Sequence, residues 1–420
     1  METILVFGGL GDPKSSVIAL YQPLLRKLQR RFHLVAIDPA VSHPDALLRR
    51  QQYAFEYADA YASLQAYRQQ HSTESVAASF LLTPVATHLP LIEDLYQHGL
   101  SSNSLIVVEK PSFSLHQCER GFHQLIPAMR ARGTRFYFVD TALVAPSLEA
   151  YLKRDDALST KRPNKIIAVA SDNPVNSVPA LDAFRLKHNI AAINQRRLLE
   201  PEMAGGAGLG LDMGVHAIAG LVRLLQYSAW EVSGFDVTGA QLEALMHVDL
   251  LRQPGAETYL YAQGTLQAKE HQMVFEVQGG KGSDIWDRRL ELYFDDQVVV
   301  IGLGTLKHAP YLWRWADGRE EFQLFAAQTA GYSQHAIDIL AELADVPDST
   351  RILTCLESEL LMEKTMAFLN QIYLRVGDSL HERERQIRHV DKHSPAHLSE
   401  REYEVRSRLY DFVNRIIQRE

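Results

Sequence analysis

Short, mostly apolar runs alternate with amphipathic stretches through the first 140 residues. Residues 4–7, 33–37, 76–82, 105–108 and 135–139 each read as a buried strand, being rich in Val, Ile, Leu and Phe. Between them, 15–31, 89–98 and 115–131 carry apolar residues at helical spacing. In the first of these, Val17, Ile18, Leu20, Tyr21, Leu24, Leu25 and Leu28 share one broad face, and Pro23 predicts a kink or a late start. Residues 46–70 are predicted to be mostly helical, with Tyr53, Tyr57 and Tyr61 at steps of four; a short strand near 55–57 is the alternative. Strands alternating with helices predict parallel pairing in a doubly wound sheet.

After about Val144 the period changes. Residues 165–171 predict a strand and 208–225 a helix. The segments 242–250, 257–267, 271–277, 289–294 and 298–301 then alternate as in an antiparallel sheet with one wet face. Hairpin turns are expected at Gln278-Gly279-Gly280-Lys281-Gly282 and at Asp295-Asp296, and helices over 333–343 and 352–374. From residue 379 the chain is dense in charge. There Ser399-Glu400-Arg401-Glu402 has capping-box spacing, and Val405, Leu409, Tyr410, Val413, Ile416 and Ile417 form an apolar stripe. Such a helix is expected to dock on its own protein or on a sister subunit. The fold class is therefore α/β plus α+β: a Rossmann-type doubly wound domain over 1–143, a domain with a large, mainly antiparallel open sheet over 144–378, and a helical tail over 379–420.

Composition adds exclusions. The 420 residues are 46% hydrophobic and 22% charged, which fits full globular cores and excludes disordered, collagenous and disulfide-scaffold classes. A net charge of −8 provides no general basic surface, so neither nucleic acid nor membrane is an expected partner. Cys118 and Cys355 form no metal-spacing pair and fit a reducing compartment; no metal is expected. The amino terminus lacks the basic segment and long apolar run of a signal peptide. The most apolar-looking stretch, 204–225, holds Asp212, His216, Arg223 and six glycines, poor material for a membrane helix. A cytoplasmic protein is expected.

Four motifs carry chemistry. Gly8-Gly9-Leu10-Gly11-Asp12 follows the first strand and precedes a helix, the setting in which bare backbone cradles a dinucleotide's pyrophosphate, although the third glycine of G-x-G-x-x-G falls on Lys14. Asp38 ends the second strand, where a carboxylate accepts from ribose hydroxyls and repels a 2′-phosphate, favouring NAD over NADP. Thr83-Pro84 with His88, and Glu109-Lys110-Pro111, stand at carboxyl ends of strands, the ligand-facing ends of an open α/β sheet. Gly205-Gly206-Ala207-Gly208-Leu209-Gly210-Leu211-Asp212-Met213-Gly214-Val215-His216 places a carboxylate and an imidazole one helical turn apart. Its density of glycine, costing about 1 kcal/mol per interior position, predicts close approach of something flat. Arg185 and Lys187, with Arg196 and Arg197, could receive an anionic group of a substrate, or be plain surface charge.

Over roughly residues 1–375 these motifs, in this order, resemble the Gfo/Idh/MocA oxidoreductases, relatives of glucose–fructose oxidoreductase and inositol dehydrogenase. The resemblance implies a nicotinamide cofactor (NAD or NADP), a sugar or cyclitol substrate, and a homodimer or homotetramer formed through the open sheet. It implies catalytic roles at the substrate hydroxyl for Lys110, Asp212 and His216: His216 as the base, Lys110 stabilising the alkoxide and Asp212 orienting the pair. Gly8, Gly9, Leu10, Gly11, Asp12, Asp38, Thr83, Pro84, His88, Glu109 and Lys110 would hold the cofactor. Two departures stand out. Gly8 to Lys14 is closer to the G-x-x-G-D turn of glucose-6-phosphate dehydrogenases, and the tail has no family counterpart. Two alternatives stay open: an NADP enzyme of that second kind, and a regulator that senses dinucleotide or sugar without turnover.

Overall fold

In the computed structural model, all residues are described except 12–16, 72–74, 155–160, 173–199, 246–255, 270, 282–286, 306–307, 327–329, 344–349, 391–397 and 418–420. The chain forms two units. The first is Met1–Val139 with Tyr332–Glu363, and the second is Asp140–Gly331 with Lys364–Glu420.

The apolar runs of the first unit become six strands: β1 (Thr3–Phe7), β2 (His33–Ile37), β3 (Asp59–Tyr61), β4 (Val76–Leu81), β5 (Leu105–Glu109) and β6 (Arg135–Val139). All are parallel, in the order β3-β2-β1-β4-β5-β6. The order reverses between β1 and β4, the kind of switch point beyond which open α/β sheets bind ligands at the carboxyl ends of their strands. Tyr332–Glu363 belongs here because of what β6 needs at its edge. The Tyr137 hydroxyl meets His335 Nδ1 at 2.8 Å and donates to Asp338 at 2.9 Å, and the Phe138 amide donates to the Ser358 hydroxyl at 3.2 Å. The sheet edge is thus satisfied by residues two hundred positions away.

The mostly helical reading of 46–70 needs correction. That segment holds two short helices, Ala46–Arg50 and Leu64–Gln70, with β3 between them. The free edge of β2 takes β3 as its partner, and a period of four in the tyrosines served a different purpose, described below.

The second sheet has nine strands: β7 (Lys165–Asp172), β8 (Val232–Leu245), β9 (Tyr259–Ala268), β10 (His271–Lys281), β11 (Asp287–Tyr293), β12 (Gln297–Gly302), β13 (Tyr311–Ala316), β14 (Arg319–Leu324) and β15 (Arg388–Val390). Their order is β14-β13-β12-β11-β7-β10-β9-β8-β15, antiparallel except for β7 with β10 and β8 with β15. β13, β14 and β15 add to the strands expected from sequence, and β10 continues through the glycines taken there for a hairpin. β8 begins ten residues before the strand expected over 242–250, of which 246–250 lie outside the described residues.

Alternation assigns the two faces of this sheet. Ala168, Val277, Gly279 and Leu290 point to one side, where the glycine-rich helix Leu209–Tyr227 lies with nearly its whole length buried. Ile167, Val169, Tyr293, Val298, Val300, Tyr311 and Trp313 belong to the other side, and onto it packs the terminal helix Glu400–Ile417 through Val405, Leu409, Phe412, Val413 and Ile416. The tail therefore docks within its own chain, over part of the sheet face that the resemblance assigns to subunit contact.

Candidate active site

The glycine turn after β1 is held from three sides. Gly8 has φ +74°, and a Cβ there would lie 2.7 Å from the Leu82 carbonyl oxygen. A Cβ on Gly9 would lie 2.5 Å from the Tyr57 hydroxyl, which donates to the Gly9 carbonyl at 2.9 Å; the Tyr53 hydroxyl donates to the Gly11 carbonyl at 2.5 Å. Tyr53 and Tyr57 are thus buttresses of the turn and not one face of a helix. Asp38 closes the third side: Oδ2 accepts from the Leu10 amide at 2.9 Å and Oδ1 from the Ala40 amide at 2.8 Å. The Leu10 amide is spent on this bond. Each Asp38 oxygen keeps a further lone pair, so the carboxylate can still accept from ribose hydroxyls. Asp12 lies outside the described residues.

Glu109 and Lys110 end β5. The Glu109 carboxylate accepts from the Tyr21 hydroxyl at 2.7 Å and from the Lys110 amide at 3.1 Å, fixing the backbone from which the Lys110 side chain leaves. Burial, followed by the Glu109 charge, pushes the Tyr21 hydroxyl well above its ordinary pKa, so it remains a donor. His88 is buried, with Nδ1 2.9 Å from the Ser112 carbonyl and Nε2 2.9 Å from the Thr83 carbonyl. It fastens the Thr83-Pro84 loop to the loop after Lys110-Pro111. Burial lowers its pKa, against the pull of those carbonyls. Its contribution is to hold these two loops together.

In the second unit the glycines have a specific explanation. Gly205 and Gly206 adopt φ +101° and +88°, turning the chain into the helix. Gly208 lies so close to the Glu257 backbone that any side chain there would collide with it. Cβ atoms on Gly210 and Gly279 would come within 2.9 Å of the Leu260 Cβ and 2.7 Å of the Gly214 Cα. What approaches the helix closely is therefore strands β9 and β10 of the same unit. Glu257 completes the helix start: its side chain accepts from the Gly208 amide at 2.8 Å and the Tyr373 hydroxyl at 2.7 Å, and its carbonyl from the Leu209 amide at 2.9 Å. Burial pushes the Glu257 carboxyl above its ordinary pKa.

Asp212 and His216 occupy this helix, both buried. His216 Nδ1 is 2.8 Å from Asp140 Oδ1, which also accepts from the Ala142 amide at 2.9 Å. A carboxylate accepts only, so Nδ1 carries a proton, and in the neutral imidazole the lone pair therefore sits on Nε2. Asp212 Oδ2 pairs with Lys281 Nζ at 3.2 Å. Asp140 thus pairs with the imidazole, which the resemblance implied Asp212 would orient. Lys110 belongs to the first unit, and Asp212 and His216 to the second. Arg185, Lys187, Arg196 and Arg197 lie outside the described residues.

Asp140 and Lys281 did not emerge from the sequence. For Asp140 a signal existed: it follows β6 as Asp38 follows β2, an acid at the ligand-facing end of a strand. Lys281 could have been found by counting two residues on from Gly279, once β10 is known to continue. Among the described residues no cluster of His, Cys, Asp or Glu could hold a metal ion, and no helix is long and apolar enough to cross a membrane.

No family model and no curated protein sequence matches the chain. Solved structures do. UDP-N-acetylglucosamine 3-dehydrogenase GnnA from Acidithiobacillus ferrooxidans is 14% identical with a TM-score of 0.55, covering 90% of this chain and 99% of its own. The aldose-aldose oxidoreductase from Caulobacter crescentus, solved with glycerol, is 13% identical with a TM-score of 0.61, covering 89% and 97%. The 3-ketoreductase KijD10 from Actinomadura kijaniata, solved with NADP and TDP-benzene, is 14% identical with a TM-score of 0.57, covering 93% and 98%. At such identities the likeness establishes one thing: this chain has, over nearly its whole length, the two-sheet fold of these oxidoreductases.

Proposed function

We propose that the protein is an NAD(P)-dependent oxidoreductase that moves a hydride between a nicotinamide and a secondary alcohol of a sugar, sugar nucleotide or cyclitol. The observation that carries this reading is the buried His216–Asp140 pair at 2.8 Å on the glycine-rich helix. An imidazole held in one tautomer by a carboxylate is a base prepared to take an alcohol's proton. The fold's neighbours lend support, since two of them are named as acting on sugar nucleotides or aldoses and a third was solved with NADP.

The residues at the β1–β4 switch point fit a dinucleotide. Gly8 has a backbone no side chain could adopt comfortably, the turn leaves bare backbone at a strand's carboxyl end, and Asp38 has lone pairs to spare. The Asp38 carboxylate favours ribose hydroxyls over a 2′-phosphate, hence NAD over NADP. Bound there, the nicotinamide supplies the hydride acceptor or donor, for which the chain has no group of its own. His216 takes the hydroxyl proton at Nε2 during oxidation and returns it during reduction. Asp140 keeps Nδ1 protonated and stabilises the imidazolium that forms. Lys110 supplies the ammonium that stabilises the alkoxide.

The test is NAD(P)H absorbance across a panel of sugars, cyclitols and sugar nucleotides. His216→Ala and Lys110→Ala should each lower turnover at least about 100-fold, while dinucleotide binding, followed by fluorescence, persists. Equal loss of binding in both variants would remove these roles. Dinucleotide binding without turnover on any member of the panel would replace the enzyme with a sensor.

A further inference from the structure

β10 carries a residue that the mechanism above does not use. Its pairing with β7 runs through Gly280 opposite Ser171, and the Lys281 amide donates to the Thr258 carbonyl at 2.9 Å. Because side chains alternate, Val277, Gly279 and Lys281 share the face turned to the glycine-rich helix. Gly279 and Gly214 meet with no room for a Cβ, and this contact sets the strand directly on the helix. Two residues further, the Lys281 side chain spans to Asp212, with Nζ 3.2 Å from Oδ2 and both side chains mostly buried. One helical turn along the same face stands His216.

A buried ion pair is weak evidence for stability, because desolvation offsets most of the attraction. It is a good device for gripping an alcohol. A hydroxyl donates one hydrogen bond and accepts others, an ammonium has three protons to donate, and a carboxylate offers about four lone-pair sites, so the two groups together match both halves of a hydroxyl. We infer that Lys281 and Asp212 together bind a second substrate hydroxyl, the one next to the carbon whose alcohol His216 deprotonates. The site then selects vicinal diols, as sugars and cyclitols are, over simple secondary alcohols. Lys281 is a specificity-determining residue, and its role rests on the dehydrogenase reading of His216.

Turnover is measured for the wild type, Lys281→Met and Lys281→Arg, on each active sugar and on its deoxy analogue lacking the hydroxyl beside the oxidised carbon. Dinucleotide binding is followed in parallel by fluorescence. The wild type should prefer the parent sugar by about 10- to 100-fold in kcat/KM. Lys281→Met should lose that preference by weakening the parent, chiefly in KM, while leaving the deoxy analogue within about twofold; Lys281→Arg should regain part of it. A variant that depresses both substrates equally, or neither, overturns the role of Lys281, and wild-type turnover still upholds the dehydrogenase. A wild type that binds dinucleotide but turns over no sugar overturns both readings.

Discussion

The bond between Asp140 and His216 offers the sharpest test of the site. Asp140 Oδ1 serves two buried donors, His216 Nδ1–H at 2.8 Å and the Ala142 amide at 2.9 Å. Asp140→Ala leaves both without their acceptor, at about 1–3 kcal/mol each. The part falling on Ala142 loosens the 3-10 turn Thr141–Val144 that Asp140 caps and appears as lost stability. In the proposed mechanism, the part falling on His216 is a loss of orientation and of charge opposite a developing imidazolium. Expressed in the barrier, 1–3 kcal/mol is about 5- to 150-fold in rate. Asp140→Asn keeps an acceptor of the same shape and loses only the charge. Since a charged acceptor roughly doubles the strength of a hydrogen bond, this variant should lose about 1 kcal/mol, or about fivefold. The assay is kcat/KM by NAD(P)H absorbance, beside ¹H–¹⁵N spectra of the imidazole. The wild type should show the Nδ1-protonated form and Asp140→Ala a mixture of tautomers. Asp140→Ala with wild-type kcat/KM, or a wild-type imidazole protonated on Nε2 alone, would refute the reasoning.

Two further outcomes follow from packing and charge. Gly279→Ala puts a Cβ 2.7 Å from the Gly214 Cα and 2.8 Å from its nitrogen, both backbone atoms that cannot turn aside; it should cost about 1–3 kcal/mol, seen as a lower urea midpoint for the second unit, and an unchanged midpoint would contradict the contact. At the terminal helix, burial alone would push the Glu291 carboxyl up, but the guanidinium groups of Arg406 and Arg289 more than offset this and hold it below its ordinary value. A lowered carboxyl adds stability that is present above about pH 4.3 and lost as pH falls through the folded-state pKa. Arg289 and Tyr293 still answer the Glu291 carboxylate without Arg406, so Arg406→Met should destabilise the protein by about 1–3 kcal/mol at pH 7, with the gap to wild type narrowing at pH 3.5 in urea unfolding; a gap independent of pH would exclude this pairing as its source.

How much of this was legible in the residues depends on whether a feature is local. Five of the six parallel strands announced themselves as apolar runs, because a strand buried on both faces must be apolar at every position; the short edge strand β3, Asp59–Tyr61, did not. Asp212 and His216 were legible as neighbours on one helix face, since their separation is set by helix geometry alone. The amphipathic stripe of Glu400–Ile417 likewise followed from its own spacing. Tyr53 and Tyr57 were misread for the same reason: spacing of four is helical only if the backbone is, and here the edge of β2 took a strand and freed the tyrosines to support Gly9 and Gly11.

By itself, then, the chain's pattern determined which residues are apolar on which face, where most of the strands and helices run, and which acids, lysines and histidines follow the carboxyl ends of strands. The tertiary structure alone decided what each face meets. It gave His216 to Asp140 and Asp212 to Lys281, filled the space above the glycines with β9 and β10 of the same unit, and laid the terminal helix on its own sheet. Periodicity records that a side chain must be covered or a charge answered. Partners such as Asp140 and His216, 76 residues apart, are brought together only by closing the chain around a common core.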